Sequence, residues 1–148
     1  MKICLAASAG GHLTELLQYE KAWENKEHFF VSDKRINAID LAKKEKMYFV
    51  ICPRRNPLKL IANLFQSLRI FLKEKPDVTI TTGADTAIPL CIIAKLFGKK
   101  IIFIEMFCVI NKPSLSGRIM NSLADLFLVQ WEENLKFYKK AEFLGSVF

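Results

Sequence analysis

Apolar residues along this chain fall into two regimes. Short, nearly unbroken runs such as Ile3-Cys4-Leu5-Ala6-Ala7, Ile101-Ile102-Phe103-Ile104 and Leu126-Phe127-Leu128-Val129 read as strands buried on both faces. Between them, leucine, isoleucine and phenylalanine recur every third or fourth position, which is the helical period. The pattern predicts strands at residues 2–7, 27–32, 47–52, 78–82, 100–104 and 126–129. It predicts helices at 12–23, 36–44, 58–73, 85–97, 116–123 and 132–139. Pro53, Pro57, Pro76 and Pro113 sit at boundaries, where a proline does least harm. Strands alternating with helices are the mark of βαβ units. The expected fold is therefore α/β, a Rossmann-like parallel sheet with helices on both faces, built as a single domain from residues 1–148.

Helix 58–73 has a distinctive pattern. Leu58, Ile61, Leu64, Phe65, Leu68, Phe71 and Leu72 form one wide stripe, while Lys59, Asn63, Gln66 and Lys73 share the other side. Such a stripe is ordinarily core, so the first expectation is a helix covering the sheet. Arg54 and Arg55 just ahead of it, together with Lys59, keep a second reading open, in which the helix lies on an anionic membrane surface.

In open parallel sheets ligands bind beyond the carboxyl ends of the strands, so loops 8–12, 81–85 and 105–112 should meet at one edge. The first is Ser8-Ala9-Gly10-Gly11-His12. Its paired glycines let the backbone turn sharply and approach a ligand, and the helix that follows favours an anion at its start. His12 at the mouth can donate to a phosphate oxygen or take a proton from a substrate hydroxyl. The second loop, Thr81-Thr82-Gly83-Ala84-Asp85-Thr86, again supplies hydroxyls, a glycine and a helix start. Thr82 and Asp85 fit a ligand contact and a plain N-cap equally well. In the third, Glu105 interrupts an apolar run; burying it unpaired is costly, so it should face the cleft or pair with a cation.

Composition narrows the picture further. A chain of 148 residues can bury roughly 70% of its unfolded surface. The 51% apolar content leaves some surface for a partner or a membrane. A net charge of +7 favours an acidic partner. Nucleic acid is not expected, because the aromatic residues are mostly phenylalanine inside apolar runs rather than interleaved with Lys and Arg. Cys4, Cys52, Cys91 and Cys108 show no metal-binding or redox spacing and read as reduced thiols. Met1-Lys2 runs straight into the first strand with no secretory leader, and no apolar run reaches the ~20 residues a spanning helix needs. The expected location is cytoplasmic. Asp33, about twenty residues beyond the glycines, suggests a dinucleotide site, but residues 6–11 lack the GxGxxG order.

With these loops in view, the chain resembles the Alg14-like oligosaccharide-biosynthesis family. The resemblance is carried by the glycine loop, the Thr-Thr-Gly loop, and the stretch from Ile104-Glu105 to Lys112-Pro113-Ser114-Leu115-Ser116-Gly117. The end of the chain adds to it, with Ala124-Asp125-Leu126-Phe127-Leu128-Val129-Gln130-Trp131 followed by Leu144-Gly145-Ser146-Val147-Phe148, similar to bacterial members acting in capsule or exopolysaccharide assembly. Two positions depart from the family pattern: Met106, where a small polar residue is usual, and Tyr138-Lys139, where Tyr-Pro is common.

The resemblance implies the acceptor-binding, N-terminal-type half of a GT-B glycosyltransferase. An Alg13-like donor-binding subunit holding a UDP-sugar would complete it, and a lipid-linked saccharide would be the acceptor. It implies that an acceptor hydroxyl displaces UDP with inversion, with no cofactor and no metal. His12 and Glu105 are its candidate catalytic residues, and Ser8, Gly10, Gly11, Thr82, Gly83 and Asp85 its candidate substrate contacts. Eukaryotic relatives carry an amino-terminal anchor that is not expected here. Peripheral attachment to the inner face of the cell membrane would then rest on Arg54, Arg55, Lys59 and helix 58–73. Gly145, Val147 and Phe148 would help dock the donor subunit, unless this end instead packs on its own domain. A rival reading makes the protein a non-catalytic scaffold that recruits a separate transferase to the membrane.

Overall fold

The computed structural model describes residues 1–147. Seven parallel strands form one sheet in the order β3-β2-β1-β4-β5-β6-β7. They are β1 Lys2–Ala7, β2 Glu27–Ser32, β3 Met47–Phe49, β4 Val78–Gly83, β5 Lys100–Ile104, β6 Leu126–Val129 and β7 Ala141–Phe143. The helices are α1 Gly11–Leu17, α2 Ile36–Leu41, α3 Pro57–Glu74, α4 Ile88–Leu96 and α5 Leu115–Leu123, with 3-10 turns at Glu20–Ala22 and Glu132–Phe137. The α/β expectation holds, with helices on both faces.

Strand alternation divides the core in two. From β1, Cys4 and Ala6 join Phe29, Phe71, Leu90, Cys91, Phe103 and Phe127 on the face covered by α3, α4 and α5. Ile3, Leu5 and Ala7 join Leu13, Leu16, Trp23, Phe30 and Ile104 on the other. All four cysteines are free, Cys4 and Cys91 fully buried. Burial pushes the Cys91 thiol up to about 12.

The chain runs outward from β1 to β3, then crosses back through α3 to place β4 on the other side of β1. This reversal is the topological switch point, where adjacent loops part and leave a crevice. Ala7 and Gly83 are register partners there, and the loops after β1 and β4 leave the sheet side by side.

Several boundaries differ from the sequence pattern for local reasons. β3 stops at Phe49 because Ile51 turns to α3: its amide donates to Gln66 Oε1 at 2.8 Å and its carbonyl accepts from Asn63 at 2.7 Å. Helix α4 begins at Ile88 rather than 85, because Thr86 faces inward and its carbonyl accepts from Asn63. The expected helix at 132–139 is a 3-10 turn, and the unexpected β7 pairs with β6 beyond it.

The largest departure is α3. The polar residues Asn63 and Ser67 are fully buried at 0% exposure, and Ser67 Oγ donates to Asn63 Oδ1 at 2.9 Å. The apolar stripe faces outward instead, with Leu58 76%, Phe65 67% and Ile61 51% exposed, and Leu64 and Leu72 exposed as well. Of the stripe only Phe71 is buried and Leu68 half-buried against the core, so the expectation of a core-facing stripe is corrected for the rest. The exchange gives a donor to two loop groups, the Ile51 and Thr86 carbonyls. Among the described residues no helix is long and apolar enough to cross a membrane.

Candidate functional site

The glycine loop is braced from within. Gly10 has φ +100°, which only glycine adopts without strain, and Asn37 grips it from both sides: Gly10 N donates to Asn37 Oδ1 at 3.1 Å, and Asn37 Nδ2 donates to Gly10 O at 3.2 Å. The Ala9 amide donates to Asp33 Oδ1 at 2.8 Å. The expected phosphate approach is therefore corrected for the first two amides, which the protein's own carboxylate and carboxamide already engage. Asp33 also accepts from Arg35 Nε at 2.6 Å and from Thr86 Oγ1 at 3.4 Å, so it is not free for a ribose. Burial works against its charge, but the hydrogen bonds from Arg35 and Ala9 outweigh it and hold its pKa below the usual carboxylate range. Ser8 is buried, with no partner for its hydroxyl.

His12 and Thr82 clamp the two loops of the switch point together. His12 Nδ1 lies 2.9 Å from the Thr82 carbonyl oxygen. A carbonyl only accepts, so Nδ1 carries a proton, and it is Nε2 that bears the lone pair in the neutral ring. In return the Thr82 hydroxyl donates to the His12 carbonyl at 2.8 Å. The imidazole lines a cleft of about 280 Å³ whose wall includes Arg55, Asp85, Glu105, Met106 and Ser114. Gly83 has φ +92°, and a Cβ there would crowd the Phe103 ring and Ser116.

Glu105 sits at the end of β5 with 1% exposure. Its carboxylate accepts from the Met106 amide at 3.1 Å, from Ser114 Oγ at 2.8 Å and from the Tyr138 hydroxyl. Ser114 Oγ in turn accepts from Gly117 N at 2.8 Å and caps α5, while Tyr138 Oη accepts from Ser114 N at 3.0 Å. Among the described residues no cation pairs with Glu105, which corrects the ion-pair expectation. Neutral donors hold the carboxylate, and in doing so it ties β5, α5 and the last 3-10 turn together. Burial, followed by the hydrogen bond to Glu105, pushes the Tyr138 phenol up.

Sequence reasoning missed Ser114 and Tyr138 as partners of Glu105; a serine three residues ahead of a glycine at a helix start was the available signal for the first. It also missed Glu15 and Gln130. Buried Glu15 accepts from Phe107 N at 3.0 Å and from Gln130 Nε2, which also donates to the Glu105 carbonyl at 2.9 Å. Burial raises the Glu15 pKa against the pull of these donors and of nearby His12. No sequence pattern announces a pair 115 residues apart.

Asp85 does not cap α4, whose N-cap is Ala87 without a side-chain bond; nor does Thr82. Instead Asp85 Oδ2 accepts from the Arg54 amide at 2.7 Å, and Oδ1 lies 3.5 Å from Cys52 Sγ. This anchors a loop in which Arg54 and Arg55 both adopt left-handed backbone, at φ 47° and 61°. Beside it lies an apolar groove of about 300 Å³ between α3, α4 and α5, and Arg55 and Asp85 line both this groove and the His12 cleft. Lys59 is exposed on α3. At the far end of the sheet, Val147 N donates to Gln130 Oε1 at 3.3 Å and Gly145 has φ +103°; Phe148 lies outside the described residues. Among the described residues no cluster of three or more His, Cys, Asp or Glu side chains is placed to hold a metal.

Known proteins share this sequence and fold. The chain is 27% identical over 179 residues to the UDP-N-acetylglucosamine transferase subunit ALG14 of Homo sapiens, covering 99% of this chain and 83% of that protein. It is 32% identical over 90 residues to the UDP-N-acetylglucosamine--N-acetylmuramyl-(pentapeptide) pyrophosphoryl-undecaprenol N-acetylglucosamine transferase of Nitrosospira multiformis, covering 61% of this chain and 24% of that one. Among solved structures, UDP-N-acetylglucosamine 2-epimerase from Rickettsia bellii superposes with a TM-score of 0.79 at 15% identity, over 99% of this chain and 45% of that one. Acinetobacter baumannii MurG gives 0.72 at 17% identity, over 86% and 40%. These two likenesses are of fold, and the chain spans less than half the length of either solved protein. The family model described as "Oligosaccharide biosynthesis protein Alg14 like" matches residues 3–147, from the first strand through the tail that reaches Gln130, and the chain belongs to that family.

Proposed function

We propose that the protein is the acceptor-side subunit of a two-component glycosyltransferase, the counterpart of the N-terminal half of a GT-B enzyme. A separate, Alg13-like subunit holds the UDP-sugar. The observation that carries this reading is His12: the Thr82 carbonyl engages Nδ1, which leaves Nε2 as the acceptor of the neutral ring, and the residue lines the cleft at the switch point. In the proposed step, a hydroxyl of a lipid-linked saccharide attacks the anomeric carbon of the donor sugar. Its oxygen forms the new glycosidic bond, the bond to UDP breaks with the electron pair leaving on UDP, and the hydroxyl proton passes to His12 Nε2. Glu105 acts as a positioning residue, holding α5 and loop 105–114 over the cleft. Ser8, Gly10, Gly11, Thr82, Gly83 and Asp85 shape the acceptor side.

Two relatives support the substrate classes. The human protein is named for UDP-N-acetylglucosamine, and the Nitrosospira enzyme's name includes a pyrophosphoryl-undecaprenol acceptor. The capsular or exopolysaccharide setting rests on resemblance to bacterial family members alone. The outward stripe of α3, with Arg54, Arg55 and Lys59 at its start, supports peripheral attachment to the inner membrane face. Gly145, Val147 and Phe148 form the docking end for the donor subunit.

The test is reconstitution with the donor-binding partner, labelled UDP-N-acetylglucosamine and a prenyl-diphosphate-linked sugar. Transfer that needs both proteins and is lost in His12→Ala supports the reading. The outward face of α3 also favours the scaffold alternative, in which Arg54→Ala/Arg55→Ala impairs transfer and His12→Ala leaves it intact.

A further inference from the structure

We infer that the groove between α3, α4 and α5 receives the first isoprene units of a polyprenyl diphosphate, with Arg55 binding the diphosphate where the groove meets the His12 cleft. The inference rests on the lipid-linked-acceptor reading above and adds the site that separates chain, diphosphate and sugar.

Three observations carry it. The groove is almost wholly apolar, lined by Pro53, Pro57, Leu60, Ile88, Leu115 and Ile119. Its volume of about 300 Å³ is at the small end of the ~300–1,000 Å³ of ligand sites, which fits a short segment of a long chain rather than a whole molecule. It also abuts the His12 cleft, since Arg55 and Asp85 line both. A ligand with an apolar end in one and a sugar in the other must pass Arg55.

At that junction Arg55 supplies a positive charge and Asp85 a negative one. Asp85 is engaged, its carboxylate accepting from the Arg54 amide and facing the Cys52 thiol. No carboxylate among the described residues pairs with the Arg55 guanidinium, which is exposed and offers a planar fork suited to phosphate oxygens. Beyond the groove the apolar surface continues: Leu64 lies one turn after Leu60 on α3, and exposed Ile61 and Phe65 lie beside them. A chain leaving the groove therefore stays on the face proposed to meet the bilayer. Apolar groove, Arg55 guanidinium and His12 cleft follow in the order of an isoprenoid, its diphosphate and its saccharide.

Farnesyl diphosphate, farnesol and inorganic diphosphate are the probes, titrated by calorimetry into the purified full-length chain. We expect farnesyl diphosphate to bind at least tenfold more tightly than either fragment. Arg55→Gln should weaken it tenfold or more and leave farnesol unchanged; Leu60→Asn/Ile119→Asn should weaken both prenyl probes. All three positions are exposed, so unchanged melting temperatures are expected and separate lost binding from lost fold. Equal binding of farnesol and farnesyl diphosphate, or indifference to Arg55→Gln, overturns the inference. A phospholipid headgroup is the other source of the same chemistry. If Arg55→Gln weakens binding to phosphatidylglycerol vesicles and not to farnesyl diphosphate, the arginine serves the bilayer and the inference falls. In the reconstituted transfer assay, undiminished activity of Arg55→Gln overturns the inference alone. Farnesyl diphosphate binding without transfer to any prenyl-linked sugar by the wild-type pair overturns the acceptor-side reading instead.

Discussion

The side chain of His12 donates to the backbone of Thr82, and the side chain of Thr82 donates to the backbone of His12, at 2.9 and 2.8 Å. The two bonds are not equivalent. The acceptor for the imidazole is a main-chain carbonyl that survives any substitution at Thr82, whereas the hydroxyl is lost with the side chain. Thr82→Val should therefore cost stability of about 1 kcal/mol, keep the tautomer, and lower transfer less than tenfold. His12→Ala should lower it by about 10²–10⁴-fold if the imidazole is the base. Initial rates of the reconstituted pair and urea melts of each variant check both, and equal losses of transfer would remove His12 from proton transfer.

Gly117 leaves no room for a methyl group. A Cβ there would run into the Glu105 carboxylate and the Tyr138 ring. Gly117→Ala should destabilise the fold by about 1–3 kcal/mol, read as a lower urea midpoint with an unchanged slope.

Glu74 contributes to the acid limb of stability. It is buried beneath Lys2 at 2.6 Å, Lys46 at 2.8 Å and the Tyr48 hydroxyl. Burial opposes its charge, yet these donors prevail and lower its pKa from 4.5 to about 2. A depressed carboxylate contributes stability that is fully present above its unfolded pKa and lost as pH falls through the folded one. Unfolding free energy should therefore decline between pH 4.5 and about 2, and Glu74→Gln should flatten that decline. At neutral pH the variant should be less stable by roughly 2 kcal/mol, a figure discounted for the solvent around Lys46.

The outward stripe of α3 separates membrane affinity from stability. Phe65→Ser and Leu58→Ser remove exposed side chains, so thermal unfolding should not change. If those side chains insert, each loss forfeits about 1.5–3 kcal/mol of burial, a tenfold or larger drop in binding to anionic vesicles by sedimentation.

The tail separates partner docking from folding. Within it, Val147 N reaches Gln130 Oε1 at 3.3 Å. Deleting residues 146–148 should abolish co-purification of the donor subunit without unfolding the domain; retained pairing would return this segment to its own domain.

Much of this was legible in the sequence. Short apolar or β-rich runs between helical patterns marked six strands, and the loops after β1, β4 and β5 were expected to converge for topological reasons. The orientation of α3 was not legible. A helical wheel assigns apolar residues to the core, but here loop carbonyls from Ile51 and Thr86 face the helix and require donors, so Asn63 turns inward. Glu105 was rightly singled out as a buried acid needing partners, but those partners were neutral donors distant in sequence, invisible to local spacing.

The inward Asn63 also limits what the protein can do with its oily side. Rolling α3 by half a turn to hide Leu58 and Phe65 would pull Asn63 away from two carbonyls at once and set leucines against them. The helix is thus locked in its outward pose whether or not a bilayer is near. Away from lipid, copies of the chain have one another as the nearest dry surface, so detergent or lipid, rather than salt or pH, should decide how long a preparation stays dispersed.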